Sequence, residues 1–387
     1  MLGLDDNSDQ FGRSSGINGR RVGHDDFHMF YEVLPDPRAL VVPKQETLAV
    51  QVLQIHRPIP DTVHIGHFDP GGVEVVDEVV SRTAYLDLIQ QACARLGDGL
   101  EVRFYDHDFR EFDASVLDHL DEIRRLSLDG LEIVGHPEAV GRLPKLTVLR
   151  FGPRRITDAR ILGAIGVHRL EHFTLASTPT RTLDLAPLGD ARSMRSVRLL
   201  GHGKNTEAIG RLASLDELAL QPSSKFSLEF INRLVSLQTL KFVLGSATSI
   251  RPIESLPALR DLSFREVRNL EDLGNLERFP RLRRLLVSDQ PKITELQVGR
   301  GNAALEHIYL YSVPRLETLK GLSELPAVKS FFAYDSRLEL PWSELPATLT
   351  HFQLMSKAMK GREAHNAEVR ARGMTPDVHS DSQFFYK

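Results

Sequence analysis

The sequence predicts an α/β repeat solenoid, with a parallel sheet along one side of the coil and 3₁₀ or short helical returns along the other. Three observations predict it. Residues 259–281, LRDLSFREVRNLEDLGNLERFPR, and 305–327, LEHIYLYSVPRLETLKGLSELPA, both carry an aliphatic or aromatic residue at positions 1, 4, 6, 9, 12, 15, 18 and 21. The hexapeptide L-x-x-L-x-L, with apolar substitutions, starts eleven times between Ile123 and Leu349, at intervals of 21 to 24 residues. Within each unit a single two-residue step gives way to steps of three. Residues two apart share one face of a strand, whereas residues three apart eclipse on a 3₁₀ turn. A unit of this kind cannot bury its own hydrophobic side, so stacked neighbours must share one continuous core.

The eleven hexapeptides are IRRLSL, LTVLRF, LEHFTL, MRSVRL, LDELAL, LQTLKF, LRDLSF, LRRLLV, LEHIYL, VKSFFA and LTHFQL, beginning at Ile123, Leu146, Leu170, Met194, Leu215, Leu237, Leu259, Leu282, Leu305, Val328 and Leu349. On these motifs the chain resembles the leucine-rich-repeat family over roughly residues 100–355. Its shorter units look like the subclass found in internalins and phosphatase regulatory subunits. The resemblance implies a horseshoe whose concave side is a parallel sheet. It also implies Asn at position 9, bonding the backbone of adjacent turns. Here position 9 reads Leu131, Arg154, Thr178, His202, Ser223, Gly245, Val267, Gln290, Val313, Ser336 and Lys357, so no Asn ladder exists and looser turns are expected.

The elements before the repeats follow in order. Residues 1–24 lack apolar periodicity and are expected to be disordered. FHMFYEVL (27–34), TLAVQVLQIHRPI (47–59), TVHIGHF (62–68) and GVEVVDEVV (72–80) read as strands separated by Pro and Gly turns. SRTAYLDLIQQACARLGDG (81–99) spaces Tyr85, Leu88, Ile89, Ala92 and Leu96 as a helix, stopped by Gly97 and Gly99. Residues 25–99 thus form an α+β module that caps the array, and LEVRFY (100–105) opens the solenoid as a degenerate first strand. The solenoid runs to residue 355, and 356–387 form a C-terminal cap and tail. In it AMKGREAHNAEVRARG (358–373) is a short helix, and Phe384, Phe385 and Tyr386 are placed to cover the open core end.

Composition narrows the function. The 387 residues are 41% hydrophobic and 26% charged, with a net charge of −4 and a pI near 6.4. That balance argues against a nucleic-acid binder, which carries a basic excess. Cys93 is the single cysteine, so no internal disulfide can form and a reducing, cytoplasmic compartment fits. The first ten residues, MLGLDDNSDQ, show no secretory signal pattern, and no run of 18 apolar residues would span a membrane.

Chemistry-bearing motifs are sparse. His64 and His67 have metal-ligand side chains, with Asp61 and Asp69 nearby, but residues three apart on a strand face opposite sides. HDDFH (24–28) offers His24 and His28 only if helical. DHDFREFD (106–113) reads as a solvated loop, and GHGKNTEAIG (201–210) lacks phosphate-loop spacing. No cofactor and no catalytic set is expected. An enzyme or metal centre in the N-terminal module, a toxin-neutralising or effector protein, and a phosphatase-type regulatory subunit are the competing classes.

What remains is surface. Positions 3, 5 and 7 of each hexapeptide unit alternate with the buried ones and face the concave side. Early units put Arg125, Arg150, Arg198 and Lys241 there, the middle puts Arg284, and the last put His307, Tyr309, Tyr311, Phe332, Tyr334 and His351. Exposed aromatics on adjacent strands match interface composition. The expectation is a non-catalytic scaffold that grips a protein partner, with those aromatics as anchors and the cations steering toward an acidic surface. No nucleic acid or membrane partner is expected.

Overall fold

The structure, a computed structural model, describes residues 33–40, 50–56, 59–69, 74–106, 111–176, 182–201, 203–356 and 362–376. The segments 1–24 and HDDFH, most of FHMFYEVL, the aromatic tail residues and positions Thr178, His202 and Lys357 lie outside the described residues.

Strand β1 (Val33–Leu34) is followed by β2 (Gln51–His56), β3 (Thr62–Phe68), β4 (Glu74–Ser81), helix α1 (Arg82–Leu96) and β5 (Leu100–Tyr105). A 13-stranded parallel sheet begins with β2 and β5 and continues through the eleven hexapeptide strands, from Arg125–Asp129 to His351–Ser356. All eleven stand side by side in register. Position 4 forms one lateral row, Leu126, Leu149, Phe173, Val197, Leu218, Leu240, Leu262, Leu285, Ile308, Phe331 and Phe352. Every member of that row is buried. The returns are the tight helices that a period of three predicts. Ala186–Asp190, Thr206–Arg211, Glu229–Arg233 and Leu276–Arg278 are 3₁₀, and Glu138–Arg142 and Ile161–Ala164 are single α turns. One hydrophobic core runs from Leu34 to Val369. This is the repeat solenoid the spacing predicts.

The expectation of loose turns is corrected. Position 8 adopts a left-handed backbone in six units: Gly130 (φ 68°), Leu244 (60°), Glu266 (52°), Asp289 (56°), Ser312 (47°) and Asp335 (54°). That conformation points the position-8 N–H at the neighbouring strand. Leu244 N donates to Arg265 O at 2.8 Å, Glu266 N to Ser288 O at 3.2 Å, Asp289 N to Tyr311 O at 2.9 Å and Ser312 N to Tyr334 O at 3.0 Å. A backbone ladder thus links the turns without an Asn ladder. Position 9 is then free to be apolar, as at buried Leu131, Val267 and Val313. Asparagine does serve the array on the return side. Fully buried Asn302 donates to Leu276 O at 2.7 Å and accepts from Gly299 N at 3.3 Å.

Near the N-terminus, β1, β3 and β4 form a separate sheet in that order. Helix α1 buries Tyr85, Leu86, Ile89, Ala92 and Cys93 and is capped by Ser81, whose hydroxyl accepts from Ala84 N at 3.2 Å. Strand β2 departs from the expected grouping. It pairs in parallel with β5, Leu53 beside Val102 and Ile55 beside Phe104, as the first strand of the long sheet. At the other end the Arg362–Ala371 helix buries Val369 and stacks His365 on Trp342, with ring centroids 5.4 Å apart. Among the described residues no helix is long and apolar enough to cross a membrane.

Candidate partner-binding face

Because the strands pair in register, concave positions 3, 5 and 7 also line up in rows, with successive members of a row about 4.8 Å apart. Position 5 runs Leu286, Tyr309, Phe332 and Gln353 across the last four strands, and position 7 runs Ser288, Tyr311, Tyr334 and Met355. The predicted aromatics are therefore brought together. Leu286, Tyr309 and Phe332 make an apolar cluster separate from the main core, with Tyr311 packed on it. The Tyr311 and Phe332 rings lie 4.6 Å apart, and His307 stacks on Tyr309 at 6.3 Å.

Their exposure differs from expectation. Tyr309 and Phe332 are 1% and 3% exposed, whereas Tyr334 is 47% exposed. Position 5 is the middle of the face, where each ring is flanked on both sides by a bulky residue of the next strand. Position 7 lies at the strand end, where Tyr334 has only half-buried Tyr311 and Met355 beside it. Tyr309 and Phe332 are thus a buried cluster in the middle of the face, with Tyr311 packed on it and Tyr334 exposed beside Tyr311. His307 and His351 are half-buried at position 3.

The expected cations are mostly engaged within the face. Arg150 approaches Asp129 at 3.5 Å, and Asp129 also accepts two bonds from Arg103, at 2.7 and 3.0 Å. Arg198 and Lys241 converge on Glu217 at 3.8 and 2.8 Å. Burial pushes the Glu217 carboxyl up, but Lys241 and then Arg198 outweigh it and hold the group below the usual carboxylate range. Arg284 makes a two-bond pair with Asp261, one of them at 2.7 Å. Arg125 makes no ion pair among the described residues, and its Nε is buried without a hydrogen-bond partner. Burial holds the neighbouring Glu101 carboxyl above its ordinary value, against the pull of Arg125 and Arg150. Free positive charge on this face is therefore less than the residue types suggest. Arg103 and Glu101 were missed, although counting concave positions back into LEVRFY would have found both.

The other motifs take ordinary places. On β3, Val63 and Ile65 point into the core, His64 is half-buried, and the His67 ring bonds Asp77 at 2.9 Å. Among the described residues no group of three or more His, Cys, Asp or Glu is placed to hold a metal. Asp113 caps the Ala114–His119 turn, accepting from Ser115 N at 2.9 Å. The Cys93 thiol is pushed up to about 12 by burial, with Glu122 adding to the shift, which leaves it a poor nucleophile.

No protein-family model and no curated protein matches the chain. Solved structures do. An internalin (inlF) from Listeria monocytogenes is 15% identical over 64% of this chain and 90% of its own, with a TM-score of 0.39. The Drosophila Toll chain of a Toll–Spatzle complex is 17% identical over 65% of this chain and 41% of its own, with a TM-score of 0.42. The mouse RP105/MD-1 complex gives 14%, 76% and 57%, with a TM-score of 0.45. This chain thus spans about half the length of the Toll and RP105/MD-1 chains it matches. At these identities the likeness is one of coarse shape and assigns no residue a role.

Proposed function

We propose that this leucine-rich-repeat solenoid is a non-catalytic scaffold that binds a protein partner on its concave face. The observation that carries the reading is the large exposed ring of Tyr334, beside Tyr311 and Met355 on the face that also holds the packed Tyr309 and Phe332. Tyr, Phe and Met are enriched where interfaces bury their centres. His307 and His351 border this patch. Arg125, with the outer parts of Arg150, Arg198, Lys241 and Arg284, gives the face its steering charge toward an acidic partner. A single cysteine, which can form no internal disulfide, supports work in a reducing cytoplasm. Co-purification from the source cells tests the reading. Tyr311→Ala with Tyr334→Ala is expected to abolish capture of a partner that the unaltered chain retains. Undiminished capture by the double variant would refute the assignment.

A further inference from the structure

The strand-start rim of the same face contains a pocket of about 440 Å³ lined by Arg260, Asp261, Arg283, Arg284, Glu306 and Tyr309, among others. We propose that this pocket receives an acidic segment of a partner polypeptide, whose carboxylates sit between Arg260 and Arg283 while a following apolar side chain rests on Tyr311 and Tyr334. The inference rests on the concave-face reading and specifies the chemistry of its ligand.

Charge supports a negative occupant. Both carboxylates of the pocket are already matched within the chain. Asp261 holds Arg284 by two hydrogen bonds. Glu306 accepts from Arg283 at 2.9 Å and lies 3.4 Å from Lys329. Although burial pushes the Glu306 carboxyl up, Arg283 and Lys329 hold it below its ordinary range, so it stays ionised at neutral pH. Among the lining residues Arg260, Arg283 and Arg284 set three positive charges against the two of Asp261 and Glu306, leaving one in excess. Arg260 is exposed and makes no ion pair among the described residues.

Geometry favours a carboxylate on a polypeptide. Asp261 pairs with Arg284 in the sheet, so Arg260 and Arg283 are also neighbours, one strand spacing (about 4.8 Å) apart. Their backbones are that close and both side chains line the pocket, so the two guanidinium groups can donate to the oxygens of one bound carboxylate. The volume lies within the range of small-ligand pockets, about 300 to 1,000 Å³. Tyr309 is both a wall of the pocket and a member of the aromatic cluster. From position 2 of the Arg260 and Arg283 strands to position 7 of the Tyr311 and Tyr334 strands is a diagonal of about 20 Å, five residues along and two strands across, the span of about six extended residues. A single extended peptide can therefore occupy both.

Fluorescence anisotropy with a fluorescein-labelled peptide DDSGSFF, and its variants NNSGSFF and DDSGSAA, tests this on the full chain at low salt. DDSGSFF is expected to bind about fivefold tighter than NNSGSFF, and that difference should vanish in Arg260→Ala/Arg283→Ala. Equal affinity for the two peptides, or no binding of DDSGSFF at millimolar concentration, would overturn the pocket. The concave-face reading fails separately, if DDSGSAA binds as well as DDSGSFF and Tyr334→Ala has no effect. Binding seen only after Phe384, Phe385 and Tyr386 are changed to Ala would assign the pocket to the chain's own C-terminal residues, and overturn an external occupant. Thermal unfolding of each variant confirms that it is folded.

Discussion

Tyr309 and Tyr334 have the same side chain on the same face, yet one is buried and the other half-exposed. Alternation along a strand shows which face a residue occupies, and that much was legible. How many large neighbours flank it depends on residues 23 positions before and 23 after it, brought alongside by the repeat. Leu286 and Phe332 do this for Tyr309. The two tyrosines should therefore separate experimentally. Tyr309→Ala is expected to cost about 3 kcal/mol in urea unfolding, while Tyr334→Ala stays within about 0.5 kcal/mol of the unaltered chain. Glu217 gives a pH test. Its folded-state pKa lies below the ordinary 4.5, despite the opposing push of burial, because of Lys241 and Arg198. Its contribution is complete above the unfolded pKa and disappears as pH falls through the lower folded one. Tm measured against pH should show Glu217→Gln less stable than the unaltered chain near pH 6, with the gap closing below about pH 4.

Among the elements, those spelled by period were legible and those made by backbone geometry were not. The hexapeptide strands, helix α1 and the tight returns follow from apolar spacing. Strand β2 reads as a strand, but its partner β5 lies beyond a hairpin and a helix, and no local pattern reports that crossover. The turn ladder was hidden for another reason. Left-handed residues are usually recognised as Gly, Asn or Asp; Asp289 and Asp335 carry that signal weakly, whereas Leu244, Glu266 and Ser312 carry none. Each such residue strains the turn slightly. Leu244 is 39% exposed, so replacing it by Gly removes strain and forfeits little burial. Leu244→Gly is expected to stabilise the chain by about 0.5 kcal/mol, the strain relief exceeding the added unfolded-state entropy. Gly245→Ala should cost about 2 kcal/mol or more. Its φ is 99°, and a Cβ there would lie 2.2 Å from Pro222 O. Equilibrium unfolding of the pair decides whether the turns carry this strain.

At the scale of the whole molecule, stability draws on one side of the sheet and the proposed binding on the other. Inward rows are sheltered only by the turns beside them, so Leu262, fully buried in mid-array, cannot accept a charge. Leu262→Asp is expected to abolish the cooperative unfolding transition seen by circular dichroism. Outward rows are free of that duty except where, as at Tyr309 and Phe332, large side chains pack on one another. The most direct test of the central claim is site-specific photo-crosslinking in the source cells. A benzophenone side chain is placed at Tyr334, or at Arg233, exposed on the 3₁₀ return. A discrete protein adduct from position 334 that is absent from 233 is the expected result. Adducts from 233 with none from 334 would contradict a concave binding face.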